Sequence, residues 1–582
     1  MTMADESHSK LLEELFSRAR EDILGRGASA GEWRMLGDDE IAKLEEGGSS
    51  SSDWSMVLVS PGSDLRSARG CRFTGDVRLD LTPWHDGRER FEPLLLDSNI
   101  EDSEIGPGCR VLSCRQLRGV TLEEGVRLED CGRITYSRGS VCGSGEDLRL
   151  GVETGERNVP SFPMLDLELA TSLSGGEGRG ERLGSYSDML REFLDDLRKR
   201  ERGLLRRGCR IASTPVVEDC FIGPGVSVDN ATALRNSTLL GSLDVKGGSW
   251  SAKAGDGALV RNSIMQWGAS ADSMAIVDGS VMGEASVVEK QGKLESSFLG
   301  PNSVLGEGEV TASLVGPFTS SHHQSLLIAA RWPEGKGNIG YGANVGSNHT
   351  SRLPDQEIRP GEGMFFGLAC SVKFPADYSR APYTIIATGV TTLPQRVEFP
   401  FSLICAPFES RRDVPPAFNQ IIPAWVLSDN MFSVRRNDSK FRDRNRARFW
   451  RPVPLPAVRE ETVQLMLQAM ERLRAAGTKD LYTEADVPGL GKNFMTEEHR
   501  LRALETYRLH IRLFALEEHV KGSPCELAVS ILRDHPPGSG GNDAAGELDV
   551  LRGAVEEAVR ESRVKDRVRG TRIISDYSDV RE

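Results

Sequence analysis

Three of the chain's nine histidines, His322, His323 and His349, fall within a 28-residue stretch of residues 314–369. Histidine can take up a proton near physiological pH or bind a metal ion, so their clustering suggests chemistry. Glycines and the apolar run 326–330 separate these groups. An ordinary amphipathic helix does not tolerate so many glycines, since each costs about 1 kcal/mol there. The stretch is therefore predicted to hold polar groups within apolar and glycine-rich backbone, as a site requires.

The histidine pair is the candidate catalytic centre, because a neutral imidazole is suited to act as a general base. Successive residues of a strand point to opposite faces, so His322 and His323 are not both expected to face one pocket. One of them would be the base, and the other would be structural or at a subunit interface. An alternative is that both satisfy buried backbone groups in a loop.

Other polar residues are candidates for holding substrate or cofactor. Lys336 lies in the sequence GKGNIG, whose loop could present amides and an ammonium to a phosphate. Lys373 and Arg380 lie further along, where a pantetheine or nucleotide could be received. The candidate substrate-binding residues are Ser321, Gln324, Asn344, Ser347, Asn348, His349 and Arg352.

A metal centre is a further interpretation of the same histidines. Three imidazoles can bind Zn²⁺ and leave one position open for an activated water. His349 with either member of the pair would supply such ligands. The set resembles that of the γ-class carbonic anhydrases, which would imply a metal-dependent hydratase of that type. We assign no metal ligand, because the short His-x4-His pairing of that family is absent.

Composition argues against several classes of protein. The 582 residues carry a net charge of −14, which argues against a nucleic-acid-binding protein. The ten cysteines include no Cys-x-x-Cys pair, which favours structural thiols in a reducing compartment. Neither a secretory signal nor an apolar run of membrane-spanning length is recognised. A cytoplasmic protein without a membrane span is expected.

A six-residue recurrence of apolar residues indicates the fold. It is clearest at Val216, Ile222, Val228, Leu234 and Leu240, with turn-type residues in the gaps. This step is neither a helical period nor strand alternation, and it is typical of a parallel β-helix built from hexapeptides. Similar runs occur at 105–126 and 276–305. A mainly β protein built on a single-stranded parallel β-helix is therefore predicted.

Helical segments are expected to decorate this β-helix. The predicted division is 1–66 N-terminal helical segment, 67–154 first β-helix part, 155–206 helical insertion, 207–406 second β-helix part with the site, 407–535 linker and C-terminal helical region, and 536–582 linker, terminal helix and tail. Individual helices are predicted at 5–26, 459–476, 496–520 and 546–567. The basic cluster 435–451 would bind ligand phosphates or, as we favour, the chain's own acidic surface.

The hexad pattern resembles the left-handed β-helix of hexapeptide-repeat acyltransferases. A closer resemblance is to an uncharacterised family of long bacterial hexapeptide-repeat proteins of Bacteroidetes and spirochaetes. It rests on LGDDEIAKLEEGGSSSSDWSMVLV, ETGERNVP, VGPFTSSHHQSLLIAA and GANVGSNHTSR. The resemblance implies a left-handed β-helix, a homotrimer and an acyltransferase-like or sugar-nucleotide-related role.

The function expected from this resemblance is acyl transfer from a CoA or carrier-protein thioester to a sugar or sugar nucleotide. His322 or His323 would be the base, and a backbone N–H of Gly340, Gly342 or Gly346 would stabilise the oxyanion. No cofactor is required beyond acyl-CoA or acyl-carrier protein as donor. The alternative from another class is a non-catalytic β-helix scaffold or sugar-nucleotide-binding protein.

Overall fold

The chain forms two compact units, which we call unit 1 and unit 2. Unit 1 comprises Met1–Gln324 with Arg446–Trp450, and unit 2 comprises Ser325–Asn445 with Arg451–Glu582. The structure is a computed structural model and describes residues 3–25, 32–87, 89–243, 249–346, 357–409, 411–450, 455–522, 524–534, 544–557 and 560. None of the described helices is long and apolar enough to cross a membrane.

Unit 1 is built from short parallel strands, and outside the insertions a strand pairs with the third strand further along the chain. Ile100 pairs with Leu117, and Leu117 pairs with Ile134, all on one face. These side chains are 0–1 % exposed, so every coil contributes one residue per face to a continuous core. The connectivity is that of a parallel β-helix-like fold.

The coils are slightly shorter than three hexads. From Val277 the buried residues step by five to Met282, by six to Val288 and by six to Leu294. Val277 is paired with Leu294, so one coil takes 17 residues here. The predicted run 216–240 began at Val216, but the inward residue there is Val217. The reason is that one side of the coil has five residues instead of six, which moves the inward position by one residue.

Three ladders of strands make up the coils of unit 1. The first contains Arg34–Met35, Val57–Val59, Val77–Leu79, Glu104–Ile105, Val120–Leu122, Gly203–Leu205, Phe221–Ile222, Thr238–Leu239, Ile264–Met265, Val281–Met282, Phe298–Leu299 and Leu314–Val315. The second contains Ser50–Ser51, Arg72–Thr74, Asn99–Glu101, Gln116–Arg118, Arg133–Thr135, Val216–Glu218, Ala233–Arg235, Leu259–Arg261, Ile276–Asp278, Lys293–Glu295 and Glu309–Thr311. The third contains Ala68–Arg69, Leu94–Leu96, Arg110–Leu112, Arg127–Glu129, Arg210–Ala212, Ser227–Asp229, Lys253–Ala254, Ser270–Ala271, Val287–Glu289, Val304–Gly306 and Ser320–Ser321.

A ladder of buried serines lines one corner of these coils. The hydroxyl of Ser280 donates to the Asp278 carbonyl at 2.7 Å and accepts the Ser297 N–H at 3.1 Å. The same arrangement repeats at Ser237, Ser263, Ser297 and Ser313. Each hydroxyl thus satisfies a carbonyl of its own coil, and those of Ser237, Ser263, Ser280 and Ser297 also satisfy an amide of the next coil.

A helical excursion leaves the coil after Arg133–Thr135 and returns at Gly203–Leu205, earlier at both ends than the predicted boundaries of 155 and 206. It contains an antiparallel pair, Asp147–Arg149 with Asn158–Pro160, and two helices, Leu167–Ser174 and Arg179–Arg198. The first of these helices begins where the Asp166 side chain accepts the Leu169 N–H.

The N-terminal helix packs on this excursion. It spans Met3–Ala19 and continues as a π-helical turn, Arg20–Leu24, which agrees with the helix predicted at 5–26. The Phe16 ring lies 4.1 Å from the Phe162 ring and 6.2 Å from the Phe193 ring. Further elements of unit 1 are the helix Asp38–Glu46, the 3-10 turns Trp54–Met56 and Leu65–Ser67, and the hairpin Trp84–His85 with Arg90–Phe91.

The short segment 446–450 of the basic cluster belongs to unit 1 and packs there through backbone amides and aromatic rings. Glu284, which is fully buried, accepts N–H groups from Arg448, Phe449 and Trp450 at 2.6–3.1 Å, and from the Trp250 indole at 2.6 Å. The Arg448 guanidinium lies 4.5 Å from the Trp250 ring centroid. In this segment backbone amides contact one buried carboxylate, and the pairing of the basic cluster with an acidic surface stays a prediction.

Unit 2 contains further parallel strands followed by helices. Its strands are Leu326–Ile328, Arg331–Trp332, Asn338–Ile339, Asn344–Val345, Ile358–Arg359, Phe365–Phe366, Ser371–Val372, Ala376–Asp377, Ile385–Ile386, Thr391–Thr392, Gln395–Arg396, Leu403–Cys405, Asn419–Ile422, Leu481–Tyr482 and Asn493–Thr496. Its helices are Trp425–Asp429, Met431–Asp443, Glu460–Ala475, Glu497–Val520, Glu526–Asp534 and a helical segment over 544–557.

The two long C-terminal helices confirm the predictions at 459–476 and 496–520. The Thr496 side chain accepts the His499 N–H and begins the second of them, as a Thr N-cap should. The first is followed by Gly477 with a left-handed φ of +65°. All ten cysteines are free thiols and nine are buried, as expected for packing residues.

Candidate functional site

The histidine pair lies on a corner of a coil in unit 1, directly after the strand Ser320–Ser321. His323 and Gln324 both have left-handed backbone conformations, with φ of +59°. The Gln324 N–H donates to the Glu307 carbonyl of the preceding coil at 2.7 Å. The strand has therefore ended before the two histidines, so the expected alternation of strand faces does not apply to them.

A carboxylate of the preceding coil contacts one of the two histidines. Nδ1 of His323 lies 3.1 Å from Oε2 of Glu307, and the side chains are 63 % and 41 % exposed. A carboxylate on Nδ1 favours the tautomer whose proton is on Nδ1, which leaves Nε2 as a proton acceptor. Glu307 thus orients His323 as a base would need to be oriented.

His322 is half-buried beside the contact between His323 and Glu307. Its ring centroid lies 5.8 Å from that of His323. The corner itself is not peculiar to the histidines. Lys290 with Gln291, and Ser273 with Met274, have the same two left-handed residues on earlier coils. The backbone conformation is thus a property of the fold, and only the side chains distinguish this corner chemically.

The residues on either side of the histidine pair, Ser321 and Gln324, differ in exposure. Ser321 is 3 % exposed, because it occupies the inward position of its strand. The predicted substrate contact from its side chain is therefore not supported by the position. Gln324 is exposed at the corner, where its side chain is accessible to a ligand.

Lys336 lies in unit 2 and is not available on a loop surface. Its side chain is 7 % exposed, and Nζ lies 2.8 Å from Glu362 Oε1 and donates to the Leu455 carbonyl at 3.0 Å. The GKGNIG loop therefore directs its ammonium inward, which differs from the predicted phosphate contact. The physical reason is the buried Glu362 carboxylate, which requires a cation close by.

Glu362 is the centre of a buried charge cluster. Arg459 binds it through two nitrogens, at 2.6 and 3.2 Å, and the Tyr383 hydroxyl donates to it at 3.0 Å. Burial acts to raise the pKa of Glu362, but the bonds from Arg459 and Lys336 outweigh burial and hold this pKa below its usual value. The cluster is built to keep a buried carboxylate charged.

The remaining described candidates also lie in unit 2. Asn344 is half-buried, and its Oδ1 is buried without a hydrogen-bond partner among the described residues. Lys373 is half-buried, and its backbone N–H donates to the Thr392 carbonyl. Arg380 contacts Gln468 and lies 3.3 Å from Glu398. The structure thus gives Arg380 protein partners.

Four predicted substrate-binding residues, Ser347, Asn348, His349 and Arg352, lie outside the described residues. Within the described ranges no group of three or more His, Cys, Asp or Glu side chains could hold a metal ion. The metal interpretation involves His349 and is not tested by those ranges.

Sequence reasoning missed Glu307 and Arg459, and it considered Glu362 only as a carboxylate that could orient a histidine. Glu307 precedes His323 by 16 residues, about one coil, so the coil length applied to the histidine would have indicated it. Arg459 lies 97 residues from Glu362, and no local pattern joins the two. A coil period finds partners on neighbouring coils but not on a distant helix.

The fold and the corner site define a parallel β-helix-like protein with an exposed His–Glu pair. The chain belongs to a protein family described as a domain of unknown function (DUF4954), whose model matches residues 33–417. An uncharacterized protein of Treponema pallidum (strain Nichols) is 30 % identical over 431 residues, which cover 71 % of this chain and 57 % of that protein. The chain thus spans little more than half of that relative's length.

A solved structure is similar at a lower level. It is described as a "putative acetyltransferase" from Desulfovibrio desulfuricans G20 and is 10 % identical, with a TM-score of 0.13. The match covers 75 % of this chain and 93 % of that one. At this TM-score the similarity carries no argument about fold or function.

Proposed function

We propose that this protein transfers an acyl group from a CoA or carrier-protein thioester to a sugar or sugar nucleotide. The observation that carries the proposal is the contact between Nδ1 of His323 and Oε2 of Glu307. It selects His323 from the histidine pair as the base. Its catalytic role and its substrates are our hypothesis.

The chemistry needs one proton acceptor and one proton donor, and a single imidazole can be both. Nε2 of His323 takes the proton of the acceptor hydroxyl while the oxygen attacks the thioester carbonyl. When the C–S bond breaks, the imidazolium returns that proton to the leaving thiolate. Glu307 holds the ring in one tautomer and stabilises the positive charge between the two steps.

The hypothesis also assigns substrate-binding and cofactor-binding roles to other residues. Gln324 is exposed at the same corner and is proposed to contact the acceptor. The substrate-binding roles of Asn344, Ser347, Asn348, His349 and Arg352 stay predictions from the sequence. The same applies to cofactor binding by Lys373 and Arg380. We also propose a left-handed coil and a homotrimer on the resemblance, and a cytoplasmic location on the cysteine usage.

The test is release of CoA from a series of acyl-CoAs, with nucleotide sugars as acceptors. The full chain is compared with His323→Ala, Glu307→Gln and His322→Ala. The exposed His85, also in unit 1, provides the matched control His85→Ala. Loss of the base should lower kcat/KM by about 10²- to 10⁴-fold. Glu307→Gln should cause a smaller loss, and the control should cause none.

Two results would contradict the proposal. One is turnover that is equal in His323→Ala and the wild type. The other is the absence of turnover with every donor, together with a wild-type phenotype for His323→Ala in cells. The second result would favour a non-catalytic scaffold. One observation already supports that alternative, because the histidines occupy a corner whose backbone recurs on coils with other side chains.

A further inference from the structure

A groove lies on the outer face of a three-stranded parallel sheet in unit 2. The strands are Ile358–Arg359, Ala376–Asp377 and Gln395–Arg396, and the cavity on their face has a volume of about 520 Å³. Arg359 pairs with Asp377, which in turn pairs with Arg396, so these three residues form one row across the sheet. The preceding residue of each strand is buried, which leaves the row on the outer face.

The two arginines retain donors for a ligand. Arg359 is bound by Glu357 through Nε and Nη2, at 2.9 and 3.1 Å. A guanidinium has five N–H donors, so three of those on Arg359 are left by this pairing. The Arg396 side chain is 62 % exposed and contacts Glu398 through Nε at 2.8 Å. Its terminal nitrogens have no hydrogen-bond partner among the residues that the structure describes.

The Arg396 end of the groove has an excess of positive charge. Glu398 is contacted by Arg396, by Arg380 at 3.3 Å and by Arg472. One carboxylate therefore faces three guanidiniums. Burial acts to raise the pKa of Glu398, but these arginines outweigh it and hold the pKa below its usual value, so the carboxylate stays charged. Counting Asp377, which neighbours Arg396 in the row, one positive charge remains in excess, and a ligand anion is attracted to this end.

The middle of the groove suits an uncharged polyol. Oδ1 of Asp377 accepts the Ser379 N–H at 3.0 Å and its hydroxyl at 2.6 Å. Oδ2 has no hydrogen-bond partner within the described ranges, and a carboxylate oxygen accepts hydrogen bonds from hydroxyl groups. The exposed Pro375 and Pro394 also line the groove and provide an apolar surface.

We propose that this groove binds a monosaccharide that carries one anionic group, a phosphate or a carboxylate. The anion lies at Arg396, the sugar hydroxyls reach Asp377 and Arg359, and the ring packs on the prolines. Neighbouring strands are about 4.8 Å apart, so the row from Arg359 to Arg396 spans about 10 Å. The proposal is independent of acyl transfer at His323, because all of its residues lie in unit 2.

The test is isothermal titration of the full chain with four probes: glucose 1-phosphate, glucuronate, glucose and inorganic phosphate. The variants are Arg396→Gln and Asp377→Asn, with Arg508→Gln as the matched control on the exposed side of the helix Glu497–Val520. Removal of a charge-assisted hydrogen bond should weaken binding of the anionic sugar about tenfold or more. The control should bind like the wild type, and thermal melts should confirm that each variant is folded.

Binding of glucose 1-phosphate or glucuronate that exceeds binding of glucose and of phosphate, and that both groove variants weaken, would support the proposal. The tighter of the two anionic sugars then identifies the anion. Absence of binding by both anionic sugars would overturn it, as would affinities that neither variant changes. Inorganic phosphate that binds as tightly as glucose 1-phosphate would overturn the sugar assignment. His323→Ala should leave these affinities unchanged, so this test and the turnover assay fail separately.

Discussion

Two buried regions, the serine ladder with Glu284 in unit 1 and the Glu362 cluster in unit 2, satisfy their polar groups by different means. In unit 1 the serine ladder joins neutral hydroxyls to backbone groups, and the buried Glu284 accepts hydrogen bonds from four N–H groups. In unit 2 the buried Glu362 is held by two cations, Lys336 and Arg459. A coil presents backbone amides at regular intervals, so unit 1 has neutral partners available at every step.

This difference has an energetic consequence. A neutral ladder distributes its hydrogen bonds over many coils, so the loss of one member costs one or two bonds. A buried ion cluster is concentrated, so the loss of its central charge leaves other charges uncompensated. Single substitutions should therefore have larger effects at the cluster of unit 2 than at the ladder of unit 1.

The largest effect is expected for Glu362→Gln. This change leaves the buried Lys336 and the half-buried Arg459 charged without the Glu362 carboxylate, which should cost about 3–5 kcal/mol in the free energy of unfolding. Urea unfolding followed by circular dichroism measures this cost. The exposed pair of Arg191 and Asp188 provides the control Asp188→Asn, which should cost less than about 1 kcal/mol. Equal costs for the two variants would show that Glu362 does not compensate the charges of Lys336 and Arg459.

The next effect concerns pH and the buried His510 of unit 2. Burial lowers the pKa of this histidine to about 4. The unfolded chain, with a histidine pKa near 6.5, binds a proton that the folded chain does not bind between about pH 6.5 and 4. Stability is therefore complete above pH 6.5 and falls as the pH decreases, by about 3 kcal/mol in total.

Urea unfolding of the wild type and His510→Gln at several pH values tests this dependence. The stability of the variant should fall less over this range, while the exposed His519→Gln should follow the wild type. Parallel curves for all three proteins would show that His510 is not the group responsible. The serine ladder has no titrating group, so Ser280→Ala should shift the whole curve without changing its shape.

A smaller effect is expected at the ladder itself. Ser280→Ala removes the acceptor of the buried Ser297 N–H, which should cost about 1–3 kcal/mol. The exposed Ser137→Ala should be close to neutral. Ser280→Ala and Ser297→Ala should have nearly additive costs, because Ser297→Ala keeps its backbone N–H and the two hydroxyls accept from different amides. A neutral Ser280→Ala variant would contradict the ladder.

The smallest effect on stability is expected at the corner site. Glu307→Gln removes an exposed contact with His323, so the free energy of unfolding should change by less than about 1 kcal/mol and less still at high salt. Thermal unfolding at two salt concentrations measures this. A loss of activity without a loss of stability would mark Glu307 as a positioning residue. A large loss of stability would instead make the contact structural.

Repetition explains which parts of the fold were predictable. Buried residues such as Ile222, Val228 and Leu234 recur every six residues in the sequence, so the strands and their inward faces could be predicted. The five-residue side was visible only as a slip between Leu294 and Leu299. The long helices were predictable because caps such as Thr496 are local signals.

The site was less predictable, because its partners are distant in the sequence. The histidine pair was selected by residue type and clustering, whereas the contact of His323 with Glu307 depends on the coil length. The inward direction of Lys336 depends on Glu362 and on Arg459, which directly precedes a helix far along the chain. Charge pairing across such distances leaves no periodic signal.

The register of the coils on either side of the helical excursion has an evolutionary consequence. Ile134 and Val217 pair as Leu117 and Ile134 do, although 83 residues separate them instead of 17. A corner of the coil can therefore be lengthened by a whole subdomain while the hydrogen-bonding ladder continues unchanged. Such a corner is a natural grafting point, where lineages can acquire or lose appendages, and where a foreign domain can be inserted with little disturbance of the scaffold.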